Sequence, residues 1–413
     1  MTKEGKLDSM IPNLASRMQN LRASDIREIL KITQRPEVIS FAGGLPASEL
    51  LPTHEMASLA RQLLEEDGVR ALQYAPTEGL QELRETISDH LTTSLSLDRG
   101  PEEVLVVSGS QQGLDLAGKV FLDEGDAVLC ESPTYLGAIN AFRAYQARFV
   151  EISTDDEGMV PSDLEDRLRS VDRVKFIYVV PDFQNPSGRR WSIERRRAVA
   201  DLAARYGVPI IEDAPYANLC YDAEPFPPVA SFDSAGLVIL LGTFSKILAP
   251  GLRLGWVTAD RSLLRPFVLA KQGADLQTSS LTQLLAARFF SDHDVDTHIA
   301  HLCEVYRVRR DAMLCALDEF FPKEISYTRP VGGLFLWVQL PEDMDARRLL
   351  ELSLEEKVAF VPGECFYPGG GHLNTLRLNF SAMPEDRIVE GIQRLGRVFA
   401  EALAPVGVGA GSR

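Results

Sequence analysis

A lysine that leaves a buried strand can do covalent chemistry, and Lys246 is placed that way. It follows the apolar run Leu237–Leu241, in Thr243-Phe244-Ser245-Lys246. Desolvation at such a position lowers an amine's proton affinity, so the group can serve as nucleophile and proton shuttle. A lysine after a strand is more often an ordinary surface residue. Here its company argues otherwise: the hydroxyls of Thr243 and Ser245 and the guanidinium of Arg253 suit a single phosphate. Asp213 closes the run Val208–Asp213 and brings a carboxylate to the C-terminal end of another buried strand, with Glu212 directed to the opposite side. Tyr216 lies three residues on. Asn185 sits in the Pro/Asn/Gly-rich loop after Val174–Val180, where a plain turn would also explain it. Gly109, Ser110 and Gln111 open a helical pattern, offering backbone N–H groups and a helix N-terminus to an anion. Tyr135 follows the next strand. Arg377 lies between apolar neighbours in Asn374–Phe380, a costly place for a guanidinium without an anionic partner.

Together these residues meet four requirements: an amine to form an imine, an anion beside a pyridine nitrogen, a phosphate cradle, and an anchor for a substrate carboxylate. That is the set pyridoxal 5′-phosphate (PLP) needs from a protein. In this reading Lys246 carries PLP as a Schiff base, and Asp213 keeps the ring nitrogen protonated. Tyr216 and Asn185 donate to the phenolic oxygen, Tyr135 stacks on the ring, and Arg377 takes the α-carboxylate. Gly113 to Lys119 also spells the start of a nucleotide-binding P-loop. It lies inside a helical pattern, however, and Val120 replaces the Mg²⁺-binding hydroxyl, so that reading is rejected. The six histidines show no metal or nucleophile spacing, and no metal site is expected.

These residues need a scaffold that collects strand ends. From about residue 101 a strand-then-helix rhythm runs through Val104–Val107, Gln111–Leu122, Ala127–Cys130, Tyr135–Tyr145, Val174–Val180, Ile193–Tyr206, Val208–Ile211 and Leu237–Leu241. Strands without polar alternation predict a mainly parallel sheet buried on both faces, hence an α/β layered domain. After about 320, strands at Leu334–Leu340, Val358–Val361 and Leu376–Phe380 alternate with helices Ala346–Glu355 and Glu385–Leu403, predicting a smaller α+β domain. The expected division is an arm over 1–40, a linking segment over 41–70 contributing to the small domain, a large domain over 71–319 and a small one over 320–413. A net charge of −16 over 413 residues disfavours nucleic acid or anionic membrane as partner. The apolar runs are strand-length, and the N-terminus lacks a signal peptide's apolar stretch. Five scattered cysteines read as reduced thiols of a cytoplasmic protein.

With these residues in hand, the chain resembles the fold-type-I PLP enzymes, specifically the class I/II aminotransferases. The resemblance runs over about 20–400 and rests on the joint order Tyr74, Gly109-Ser110-Gln111, Tyr135, Asn185-Pro186, Asp213, Tyr216, Ser245-Lys246, Arg253, Arg377. It implies a seven-stranded, mainly parallel sheet between helices and a homodimer with active sites at the interface. In such a dimer Tyr74 reaches the partner's cofactor phosphate. A closer likeness is to the 2-aminoadipate aminotransferases of lysine biosynthesis. It is carried by Ala23–Lys31, Gln34-Arg35-Pro36, Ser40–Pro46 (with Gly44 among the substrate contacts), Lys271–Leu276 and Tyr327–Pro330. In that subgroup a Ser and an Arg on a mobile N-terminal helix clamp the substrate's distal carboxylate, and Ser24 and Arg27 match them.

The implied activity moves the amino group of an L-amino acid to 2-oxoglutarate by ping-pong kinetics, with 2-aminoadipate or glutamate as donor and broader specificity. Aromatic, kynurenine or branched-chain amino acids are the alternative donors. Two rivals share the scaffold: a PLP-dependent lyase, and the effector-binding half of a transcription regulator. The regulator needs a DNA-binding domain of about 60 residues and a basic footprint, whereas about 40 residues precede the first motif here and the charge is acidic.

Overall fold

The computed structural model describes residues 14–20 and 37–404. Seven strands form the large sheet: β1 (Val104–Val107), β2 (Ala127–Glu131), β3 (Arg148–Ile152), β4 (Val174–Val179), β5 (Ile210–Asp213), β6 (Val238–Thr243) and β7 (Gly255–Thr258). Their order is β1-β7-β6-β5-β4-β2-β3, and only β7 runs against its neighbours. Alternate residues divide between two cores. Val104, Val106, Leu129, Ile177, Ile210 and Leu240 enter one, while Leu105, Val107, Val128, Phe176, Ile211 and Leu241 enter the other. Burial on both faces is why these strands read as unbroken apolar runs.

The reading from sequence located five of the seven strands. Strand β3 escaped because Arg148 is exposed and the next three residues only half-buried, as suits an edge. Strand β7 is four residues long and starts at a glycine.

Parallel strands in such a sheet present their C-terminal ends along one edge, where ligands of open α/β sheets sit. That edge carries Ser108–Ser110 after β1, Tyr135 after β2, Asn185 after β4, Asp213 on β5 and Lys246 after β6. Because β7 is antiparallel, its start reaches the same edge and delivers Arg253.

The smaller sheet is antiparallel throughout, in the order β8 (Ser326–Tyr327), β9 (Phe335–Gln339), β11 (Thr375–Asn379), β10 (Val361–Pro362). Ile39–Ser40 pairs with Val358–Ala359, and the Asn379 amide donates to the Phe41 carbonyl at 2.9 Å. Residues 39–47 therefore join the small core through Ile39, Phe41 and Ala47. The helix Thr53–Leu72 instead buries Leu59 and Leu63 with Leu284 and Leu285 of the large core. The long helix Val295–Phe320 starts against the large core at Val295 and Ile299, then enters the small core from Leu302 onward. We propose to draw the domain division by this packing: 39–47 with the small domain, 53–72 with the large, and the change falling inside the long helix rather than at 319. A 26-residue helix spans both cores, and nothing in its own sequence marks the change.

Candidate active site

One cavity of about 360 Å³ opens along the sheet edge, lined by Gly44, Ser110, Gln111, Tyr135, Asn185, Asp213, Tyr216, Thr243, Ser245, Lys246, Arg253 and Arg377. Gly109 lies just behind the lining. Tyr74 is 80% exposed and is not among the residues lining its own chain's cavity. Ser24 and Arg27 lie outside the described residues.

Lys246 reaches across the domain junction, donating from Nζ to the Gly44 carbonyl at 2.7 Å. Burial, reinforced by the Arg377 and Arg253 guanidiniums, brings its proton affinity down from near 10.5 to about 8. The amine is thus neutral over much of the range where an ordinary lysine is a cation.

Asp213 is buried and accepts the Tyr178 hydroxyl on Oδ2 at 3.0 Å. Its Oδ1 is equally buried and has no hydrogen-bond partner among the described residues. Burial pushes this carboxyl up to about 7, so a cationic N–H opposite Oδ1 would draw it back to the ionised form. Glu212 points the other way and accepts the amides of Val229 and Ala230 at 2.8 and 2.9 Å. Tyr178 was not singled out from sequence. The available signal was a hydroxyl inside an otherwise apolar strand, which when buried must find an acceptor.

Arg377 is 2% exposed and lies 4.2 Å over the Phe335 ring. It donates from Nη1 to Asn185 Oδ1 at 2.7 Å and from Nη2 to the Ala42 carbonyl at 2.6 Å, while Nε has no partner among the described residues. With its carbonyl oxygen so occupied, Asn185 turns its amide N–H groups to the cavity, where the side chain also meets the Tyr216 hydroxyl. Its loop is tied down at both ends by buried Glu131, which accepts Trp191 Nε1 at 2.9 Å and the Val180 amide at 3.3 Å. Tyr216 is buried and Tyr135 half-buried; the loss of solvent raises each phenol, that of Tyr135 to about 12. Both therefore stay protonated and can donate.

At the far end, Gly109 has φ +83°, and a Cβ there would lie 2.5 Å from the Arg253 guanidinium. Only glycine allows the guanidinium to lie against this loop. Ser110, Ser245 and Arg253 point polar groups into the cavity beside the N-terminus of the helix Ser110–Phe121. The Thr243 hydroxyl receives the Ser245 amide at 3.1 Å and lies 3.1 Å from the Leu254 carbonyl, so it shapes this corner as much as it lines it. Gln111 donates to the Gly137 carbonyl at 3.0 Å. The P-loop-like stretch Gly113–Lys119 is helical.

The residues fit a phosphorylated pyridine aldehyde. The unmatched Asp213 oxygen suits a protonated ring nitrogen, the partly neutral lysine suits an aldehyde, and the glycine-lined corner with its cation and hydroxyls suits a phosphate.

Residues 37–395 match the family described as aminotransferase class I and II. The chain is 44% identical to the 2-aminoadipate transaminase of Thermus thermophilus, with 94% of this chain and 96% of that protein covered. It is 42% identical to aromatic-amino-acid aminotransferase 1 of Thermococcus litoralis, covering 93% of each. Among solved structures, the kynurenine aminotransferase of Pyrococcus horikoshii, in complex with PMP, superposes with a TM-score of 0.92 at 40% identity, over 97% of this chain and all of that one.

Proposed function

The chain belongs to the class I and II aminotransferases and is a PLP-dependent aminotransferase; from that premise we propose that it moves the amino group of 2-aminoadipate or glutamate, and of a broader set of L-amino acids, to 2-oxoglutarate by a ping-pong route. Lys246 would hold the cofactor covalently through its ε-nitrogen. The observation that bears most weight is the meeting, in one cavity, of a partly neutral lysine with two buried groups that each leave a polar atom unmatched among the described residues, Asp213 Oδ1 and Arg377 Nε.

When bound, the cofactor ring withdraws electrons from the substrate carbon that bears the amino group. Lys246 takes the proton from that carbon and returns it. Asp213 would hold a proton on the ring nitrogen through Oδ1, while Tyr178 fixes its other oxygen. Asn185 and Tyr216 would donate to the phenolic oxygen, and Tyr135 would cover the ring. Ser110, Ser245, Arg253 and the backbone after Gly109 hold the phosphate, with Thr243 and Gln111 shaping its surroundings. Arg377, backed by Asn185, orients the α-carboxylate, with Gly44 lining the same end.

The substrate reading rests on relatives named for 2-aminoadipate, aromatic amino acids and kynurenine and on Ser24 and Arg27 as a clamp for a distal carboxylate. Steady-state rates with 2-aminoadipate, glutamate, leucine, phenylalanine and kynurenine test it. Arg27→Ala should lower kcat/KM for 2-aminoadipate by about 10- to 100-fold, the worth of a charge-assisted contact, and leave leucine nearly unchanged. Equal losses on both substrates would remove the clamp from the account.

The pH behaviour of Lys246 gives a second check, independent of turnover. The neutral amine is the nucleophile, and its fraction rises with pH to a plateau above about 8. Uptake of PLP by apoprotein, followed by absorbance, should therefore accelerate with pH and level off there. A rate still climbing at pH 10 means an ordinary lysine.

A homodimer is part of the same proposal. Exposed Leu64, Val69, Leu72 and Tyr74 lie in the second half of the helix Thr53–Leu72 and just beyond it, apolar surface suited to a second copy. Tyr74 would reach the partner's phosphate from there. Among the described residues no helix is long and apolar enough to cross a membrane, and we place the enzyme in the cytoplasm.

A further inference from the structure

Lys271 is fully buried although it lies next to last in the helix Arg261–Gln272. An ammonium group seldom leaves water without a partner. Its partner is Asp275, with Nζ 2.6 Å from Oδ1. The second oxygen of Asp275 turns to a remote part of the chain, accepting Gln112 Nε2 at 2.7 Å and Ser108 Oγ at 3.1 Å. Gln112 in turn accepts the Ser108 amide through Oε1 at 2.7 Å. Ser108 immediately precedes Gly109-Ser110, and its carbonyl lies 3.4 Å from Arg253 Nη2. Lys271 and Asp275 are absent from the cavity lining, yet they hold its phosphate-facing loop from behind. The segment that follows them also grips the chain around Tyr74, since Gln277 accepts the Ala75 amide and Ser280 donates to the Gln73 carbonyl.

We propose that Lys271 and Asp275 are positioning residues for the cofactor phosphate: Asp275 locks Ser108 and Gln112 in place, and Lys271 cancels the negative charge that this lock brings beside an anion. The inference rests on reading Gly109, Ser110 and Arg253 as the phosphate cradle. A bare carboxylate near the start of the helix Ser110–Phe121 competes with phosphate for the same positive helix end. Paired with an ammonium at 2.6 Å, it presents a compact dipole there, and its field fades quickly.

Charge cancellation makes the two residues unequal, which a role in packing alone does not. The test is titration of apoprotein with PLP, and in parallel with pyridoxal, which has no phosphate. Lys271→Met leaves the lock but uncovers the charge, and should weaken PLP binding about 20-fold at low salt, less as salt rises. Asp275→Asn loosens the lock and leaves the Lys271 ammonium uncovered, whose attraction for the phosphate offsets part of the loss, and should cost no more than about threefold. The double variant is neutral again with the lock loosened, and should lose affinity about three- to fivefold instead of multiplying the two losses. Pyridoxal should bind all four proteins alike. If Lys271→Met does not fold, as judged by circular dichroism, Lys271→Gln takes its place in the same comparison.

Wild-type PLP affinity in the lysine variant, multiplying losses in the double variant, or an equal loss for pyridoxal would each overturn the proposal. Ser110→Ala and Arg253→Ala separate it from its premise. If they leave PLP binding untouched, the cradle reading falls and this inference with it. If they weaken binding while Lys271→Met does not, this inference alone falls.

Discussion

Replacing Lys246 with alanine is expected to lower kcat by more than about 10⁴-fold, because in the proposed mechanism one side chain supplies both the covalent hold on the cofactor and the proton transfer at the substrate carbon. Folding should not suffer. The amine makes one hydrogen bond, to the Gly44 carbonyl, and burial already disfavours its charged form, so alanine relieves a desolvation cost as it removes a contact. The apoprotein's Tm should stay within a few degrees of wild type, about the shift that 1 kcal/mol produces in a chain of this size. Single-turnover rates with added amino donor and an apoprotein melting curve together check the prediction. Repeated turnover at the wild-type rate would remove Lys246 from the mechanism, and a collapse in Tm would make its role structural.

The second large effect is expected at Asp213. Asparagine keeps the shape and can still contact the Tyr178 hydroxyl, but it cannot hold a proton on a ring nitrogen by charge. At about 4 Å and an effective dielectric near 20, a unit charge pair is worth about 4 kcal/mol, which corresponds to about 10³-fold in rate. Asp213→Asn should therefore lower kcat by about that factor, with a much smaller change in the KM of the amino donor, because the proposed α-carboxylate anchor, Arg377, is untouched. Asp213→Glu restores the charge in an imperfect position and should recover part of the loss. If Asn and Glu variants were equally impaired in kcat, geometry rather than charge would be the contribution of this residue.

How far the sequence discloses this site can be traced residue by residue. Lys246, Asp213, Asn185, Tyr135 and Ser110 are legible because each follows an apolar run, and in a parallel sheet such positions converge on one edge. Arg253 is legible by chemistry alone. Its delivery to that edge depends on the antiparallel course of β7, which a four-residue strand does not announce. Partners across long separations are hidden. Gly44 meets Lys246 across 202 positions, and Arg377 meets Asn185 across 192; local periodicity carries no information on such pairings. Tyr178 was legible in principle, as a hydroxyl in an apolar strand, but its acceptor lies on a neighbouring strand and emerges only once β4 and β5 are set side by side. The stretch Lys271–Leu276 stood out by resemblance alone, and its hydrogen bonds to Ser108 and Gln112 are what give it a physical role.

The measurement that reaches the central claim most directly is to load the protein with PLP, reduce it with borohydride, digest it and weigh the peptide containing residue 246. The account predicts one phosphopyridoxyl group fixed to the ε-nitrogen of Lys246 and to no other lysine. The group on a different lysine, or a cofactor that washes away unattached after reduction, would contradict it.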